Sequence, residues 1–177
     1  SPYPGIWFQL FGGYQNLKND LLYSYSSLSD TSIGTVSTML AFTQIHTDNV
    51  YADIKLTYDY KDVLSLSAHY IYRNWNSDNN EYLLAVKPEN EASISLNVHP
   101  TSALQLNAGF DYISRKEEAT SFNMSDISDL HIGASYNVFK GVSVYAQVHN
   151  LLNKKYQYYL GYPAEGFNFL GGLSFRF

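Results

Sequence analysis

Apolar and polar residues alternate along one segment after another of this 177-residue chain, and the segments are joined by connections that are short and long in turn. "GVSVYAQVHN" sets Val142, Val144, Ala146 and Val148 against Ser143, Tyr145, Gln147 and His149. "LQLNAGFDY" sets Leu104, Leu106, Ala108 and Phe110 against Gln105, Asn107, Gly109 and Asp111, and "LHIGASYNV" does the same with Leu130, Ile132 and Ala134 against His131, Gly133 and Ser135. The pattern returns in "ADIKLTYDY", "LSLSAHYIY", "ASISLNVH" and the closing "FNFLGGLSFRF". A period of two puts successive side chains on opposite faces of a pleated strand, so each segment reads as a strand with one apolar face. Helical spacing is sustained over no useful length.

The joints divide into two kinds. "KDV" (61–63), "HPTSA" (99–103) and "FKG" (139–141) are short enough for hairpins, whereas residues 74–91, 114–129 and 151–166 form connections far beyond hairpin length. Seven strands follow from Ala52 onward, and two more are expected in 5–26 and 35–45, or three if the first breaks at "NLKND" (16–20). The expectation is an all-β antiparallel meander of about nine to ten strands forming one unit over 1–177. An outer-membrane barrel, with short turns at one end and long loops at the other, is one solution. A soluble β-sandwich with its apolar parity turned inward is the other, because period two alone does not separate them. The polar parity favours the barrel, being mostly Ser, Asn, Gln, Gly, His and Tyr rather than Lys and Glu. So do the rings of Tyr58, Tyr60, Tyr70, Tyr72, Trp75, Phe110, Tyr112 and Phe177 near strand ends, where interfacial aromatics sit.

Composition closes off other classes. Charged residues are 15% and aromatics 16%, with a net charge of −5 and no basic run, so phosphate-neutralising contact with nucleic acid is not expected. Cysteine is absent, which excludes disulfides and thiolate metal sites. The mean hydropathy of −0.24 argues against spanning helices but not against a barrel, where only alternate residues meet lipid. The start "SPYPGIWF" lacks the charged and apolar regions of an export signal, so any such signal is expected to lie upstream or to have been removed.

Motifs for catalysis are missing: there is no G-x-S-x-G, no H-E-x-x-H and no phosphate-cradling glycine loop, so no enzyme and no cofactor are expected. His69, His131 and His149 fall on polar parities together with Asn107 and Gln147, and all five are expected to line a lumen; without paired spacing the histidines are not expected to ligate a metal. "SDNNE" (77–81) and "SDISD" (125–129) read as solvated loops, lacking the spacing and turn glycine of a Ca²⁺ loop. Tyr156, Tyr158, Tyr159 and Tyr162 crowd one long connection, joined by Trp75 from another, a composition suited to stacking on a ligand or to anchoring at a lipid interface.

From His131 to Phe177 the chain resembles the carboxy-terminal end of TonB-dependent outer-membrane receptors. The resemblance is carried by Asn150, Leu151, Leu152, Asn153, Lys154, Lys155 and Tyr156 after the penultimate strand, by Gly161, Tyr162 and Pro163 in the following loop, and by a last strand ending in an aromatic. It implies the carboxy-terminal fragment of a 22-stranded barrel. It also implies nutrient uptake in the bacterial outer membrane, surrounding lipid, an unidentified small nutrient as ligand, and energy from the TonB complex through a plug that this sequence lacks. Phe175 and Phe177 would then be part of a signal read by the barrel-assembly machinery. A complete barrel of eight to ten strands with a structural or adhesive role and a soluble sandwich that binds ligands stand as alternatives.

Overall fold

The computed structural model describes residues 5–30, 35–77, 84, 86–115, 124–159 and 161–176, and contains ten strands among them. These are β1 (Gly5–Asp30), β2 (Thr35–Tyr60), β3 (Leu64–Ser77), β4 (Pro88–Val98), β5 (Leu104–Arg115), β6 (Ile127–Phe139), β7 (Val142–His149), β8 (Gln157–Tyr159), β9 (Tyr162–Pro163) and β10 (Asn168–Phe175). Eight form a single antiparallel sheet in the order β1-β2-β3-β4-β5-β6-β7-β10, while β8 and β9 make a small hairpin within the last long connection.

Two expectations about the first fifty residues are corrected. Residues 35–45 are not a strand of their own: they run without a turn into the next segment, giving β2 its 26 residues. Nor does "NLKND" break β1. The ladder with β2 shifts register between Leu17 and Asp20, one extra residue being absorbed as a β-bulge while pairing continues on both sides. The bulge inverts parity, so Asp20 and Leu22 turn onto the face that carries Thr47 and Ile45 of β2.

Register turns the sequence alternation into a band. Ile6, Tyr58, Leu66, Leu96, Ala108, Ile132, Val148 and Phe169 stand side by side across all eight strands. Below them lie Tyr60, Leu64, Val98, Leu106, Ala134 and Ala146. Rings border this apolar face on both sides: Tyr70, Tyr72 and Tyr112 toward the long connections, Tyr136, Phe139 and Phe175 toward the turns. Directly opposed apolar side chains of this kind are what hold neighbouring strands in register.

The sheet is one layer deep. Leu106, Ile132 and Val144 are 39%, 42% and 40% exposed, so the sealed interior that a sandwich would need is not formed around them. Among the described residues no ladder joins β1 to β10, and the closure that a small complete barrel would require is not made. Buried side chains gather instead beyond the band, at the end of the long connections. Leu22, Ile45, Trp75 and Leu84 pack together there with Val86 against them. Burial of each such side chain contributes roughly 1.5–3 kcal/mol, enough to hold β1 at Leu22, β2 at Ile45 and β3 at Trp75 against the connection that follows β3.

Candidate functional site

The polar face and the folded connections above it build the site. Its foundation is the run from Asn150 to Tyr156. Asn150 and Asn153 take left-handed backbone angles (φ 47° and 49°), which asparagine tolerates better than most residues. Asn150 is 1% exposed and uses its whole amide: Nδ2 donates to the carbonyls of Lys154 (2.8 Å) and Glu165 (3.1 Å), and Oδ1 accepts from the Lys154 N–H (2.9 Å). Its own N–H donates to Asp129 Oδ1 at 2.9 Å, and the buried Tyr156 hydroxyl donates to Asp129 Oδ2 at 3.1 Å. Burial, followed by the hydrogen bond and charge of Tyr158 and by Asp129, pushes the Tyr156 phenol well above its ordinary range, so it stays a donor.

Arg115, at the end of β5, completes the clamp. Its guanidinium donates to the carbonyls of Ser125 (3.1 Å), Gln157 (3.1 Å) and Tyr158 (3.2 Å), a three-way reach suited to its planar fork. The β8–β9 hairpin is closed by Gly161, whose φ of 84° favours glycine and whose N–H donates to Gln157 Oε1 at 2.7 Å. Clamp and hairpin together lay Tyr158 over the polar face.

Under Tyr158 runs a trough made of two hollows that share Ile113, Ile127 and Tyr158 itself. The one lying over the strands, about 240 Å³, is lined further by His69, Glu91, Ser93 and Asp111. The one toward the long connections, about 300 Å³, is more apolar, adding Leu22, Val86, Pro88, Met124 and Tyr159, and is bordered also by Lys87 and Arg115. Most charges along it are spent on protein partners. His69 Nε2 lies 2.8 Å from Asp53 Oδ1, Arg73 pairs with Glu91, and Lys87 sits 2.6 Å from Asp20 Oδ2 and 4.5 Å from the Trp75 ring centre. His131 and His149 stack with ring centres 5.8 Å apart, and His131 Nδ1 is 3.7 Å from Asp111 Oδ2. The imidazole of His131 lies across Gly109, where a Cβ would collide with it.

The residues singled out in the sequence separate into three sets. Tyr158, Tyr159 and Tyr162 are 51%, 66% and 70% exposed, with Tyr158 and Tyr159 at the trough. Tyr156 and Trp75 are buried, the latter donating from Nε1 to the Pro88 carbonyl at 2.8 Å, so both act as pillars under the loops. His69, Asn107, His131, Gln147 and His149 all fall on the polar face; His131 and His149 come together, while His69 pairs with Asp53 instead. Among the described residues, no group of three His, Asp or Glu is arranged to hold a metal. Phe175 lies on the apolar face opposite Val142, and Phe177 falls outside the described residues, as does most of "SDNNE". In "SDISD" the carboxylates are engaged by protein donors: Tyr112 donates to Asp126, Asn150 and Tyr156 to Asp129. Sequence reading did not single out Asp111, Arg115 or Glu91. The parity of Asp111 was the available signal, but nothing local marks the partner of Arg115 more than forty positions away.

No family model matches the chain, and no curated protein does. Solved structures match its fold. The copper transporter OprC superposes with a TM-score of 0.70 at 16% identity, over 97% of this chain and 29% of that one. FpvA of P. aeruginosa, solved with heterologous pyoverdines and iron, gives 0.67 at 13% identity, over 96% and 24%. The outer-membrane expressed OmpT of Vibrio cholerae gives 0.54 at 16% identity, over 96% and 51%. All three are bacterial outer-membrane proteins, and the class that the shared fold defines is an antiparallel β-barrel wall. More narrowly, OprC and FpvA are TonB-dependent receptors, and this chain has the fold of a barrel portion of such a receptor, spanning less than a third of either.

Proposed function

We propose that the chain forms the carboxy-terminal part of the barrel of a TonB-dependent receptor and serves uptake of a small nutrient, with no catalytic role. In this reading the apolar band faces lipid, the polar face lines the lumen, and the long connections stand outside with the trough as part of the ligand-facing surface. The stretch from Leu64 to Tyr72, aromatic-bordered at its outer end, fits the roughly 9–11 residues with which a tilted strand crosses the hydrocarbon. Tyr158, Tyr159 and Tyr162 are the proposed ligand contacts of the last loop, with Trp75 holding the neighbouring loop in place. His69, Asn107, His131, Gln147 and His149 line the lumen. Phe175 with Phe177 would be read by the assembly machinery, and a plug elsewhere in the polypeptide would connect to TonB.

The observation that carries the proposal is the near-complete superposition of an open eight-stranded wall on part of two much larger transporter and receptor chains. The motif of the resemblance, Asn150 to Tyr156, supports it by folding as the anchor of the outer loop. The test is solute depletion by cells that express the full-length protein, compared with and without functional TonB. At least one solute of a defined medium should disappear only when both are present. Depletion that continues at the same rate without TonB sinks the proposal, and so does no receptor-dependent depletion.

A further inference from the structure

We propose that the trough takes an amphipathic amine, with an aromatic or apolar body under Tyr158 and Tyr159 and an ammonium group against Asp111. The inference rests on reading the trough as ligand-facing and adds the chemistry of the ligand. Its first support is shape. The two hollows are neighbours that share Ile113, Ile127 and Tyr158, and they differ in character: the one toward the loops is the more apolar, its two cations Lys87 and Arg115 being already paired, and the one over the strands is the more polar. One molecule filling both must be apolar at one end and polar at the other, since an unmatched polar group in either half loses its hydrogen bonds.

Charge selects the polar end. Glu91 is held by Arg73, His69 by Asp53, Lys87 by Asp20, and Arg115 by three carbonyls. Asp111 differs. Its ion-pair contact among the described residues is the 3.7 Å approach to His131, beyond hydrogen-bond length, and its side chain is 50% exposed. It also stands directly opposite Asp129 in the β5–β6 ladder, and like charges so placed destabilise a strand pair. Asp129 is compensated by the Asn150 N–H and the Tyr156 hydroxyl, which leaves Asp111 as the carboxylate that a bound cation would compensate. The rings of Tyr158 and Tyr159 suit the same ligand, because a tyrosine face stacks on an aromatic body and attracts an ammonium.

The experiment is a titration of the full-length protein in detergent with three probes: 2-phenylethylamine, 3-phenylpropionate, which offers a phenyl ring with the opposite charge, and ethylamine, which lacks the ring. The arylamine should bind at least about tenfold more tightly than either of the others, a difference of about 1.4 kcal/mol. Asp111→Asn should abolish the preference for amine over carboxylate, and Tyr158→Leu should weaken both ring-bearing probes together. Equal or tighter binding of the carboxylate overturns the proposal, as does absence of binding by any probe or an amine preference unchanged in D111N. Retained heat-modifiable migration on gels identifies variants that still fold. TonB-dependent depletion of some solute, combined with no arylamine binding, would remove the ligand class and leave the transport reading standing.

Discussion

The two ends of the sheet are held by different bonds. At the turn end the chain is closed mainly by its own backbone: the Val63 N–H donates to the Tyr60 carbonyl (3.2 Å), His99 to Val63 (2.7 Å), Asn137 to Ala103 (2.8 Å) and Arg176 to Gly141 (2.7 Å), with Thr101 Oγ1 adding a local cap that accepts from the Ala103 and Leu104 N–H groups. At the loop end side chains take over, with Asn150, Asp129, Arg115, Trp75 and Lys87 each bridging segments distant in sequence. Backbone closure needs only a short connection and permissive residues, such as Lys61 and Gly141 with their positive φ. Side-chain closure needs particular partners, and it lets a long connection hold a fixed shape over the polar face. Recognition surfaces are built from such loops on a rigid frame.

Removing one side chain at the loop end should therefore disorder a whole connection, whereas a substitution at the turn end should stay confined to the strands beside its turn. Asn150→Ala strips two carbonyls and one N–H of their partners and places alanine at a positive φ, for a cost of about 3–4 kcal/mol in the order of the last loop. Amide exchange should show it as lost protection at Lys154 and Ala164, with β7 amides unchanged. Protection retained at Lys154 would mean the knot is held by something other than this amide.

The turn-end counterpart is Gly141→Val. Its φ of 81° is strained for any side chain, and an added Cβ would meet the Arg176 carbonyl, so about 2 kcal/mol is expected from strain and displacement. The loss should be read as faster unfolding of the β7–β10 pair in denaturant, with the Tyr158 hairpin undisturbed. Loss of order in the Tyr158 hairpin here would break the comparison.

The same division explains what the sequence showed. Alternation in segments such as "GVSVYAQVHN" specified the strands, their apolar face and the three short turns, because period two and a tight connection are local properties. The bulge at Leu17–Asp20 was hidden, since one inserted residue resembles a break until the partner strand is seen. Residues 35–45 looked separate for a related reason: the polar "HTDN" that follows is carried in the middle of β2, where Tyr14 and Asn16 donate to Asp48 at 2.6 and 2.8 Å. The tyrosines of the last loop were visible as a composition, but their division into pillar and exposed ring depends on Asp129 and Arg115, which lie on other strands.

The smallest expected effect separates pillar from ring most directly. Tyr156→Phe removes one hydrogen bond to Asp129 and should loosen the loop by about 1 kcal/mol at neutral pH. Its clearer signature is in alkali. With the locked loop holding the phenol pKa above that of a free tyrosine, the locked state keeps a proton that the released state gives up, so stability present below about pH 10 falls as pH rises past it. Clipping of the loop by an alkaline protease should accelerate in the native protein as pH rises above about 10, beyond the protease's own profile, as this linkage requires. Tyr156→Phe should be clipped faster at neutral pH and lack that added slope. An identical slope in both proteins would assign the alkaline loosening to another group, and Tyr156 would lose its place as the pillar of the loop.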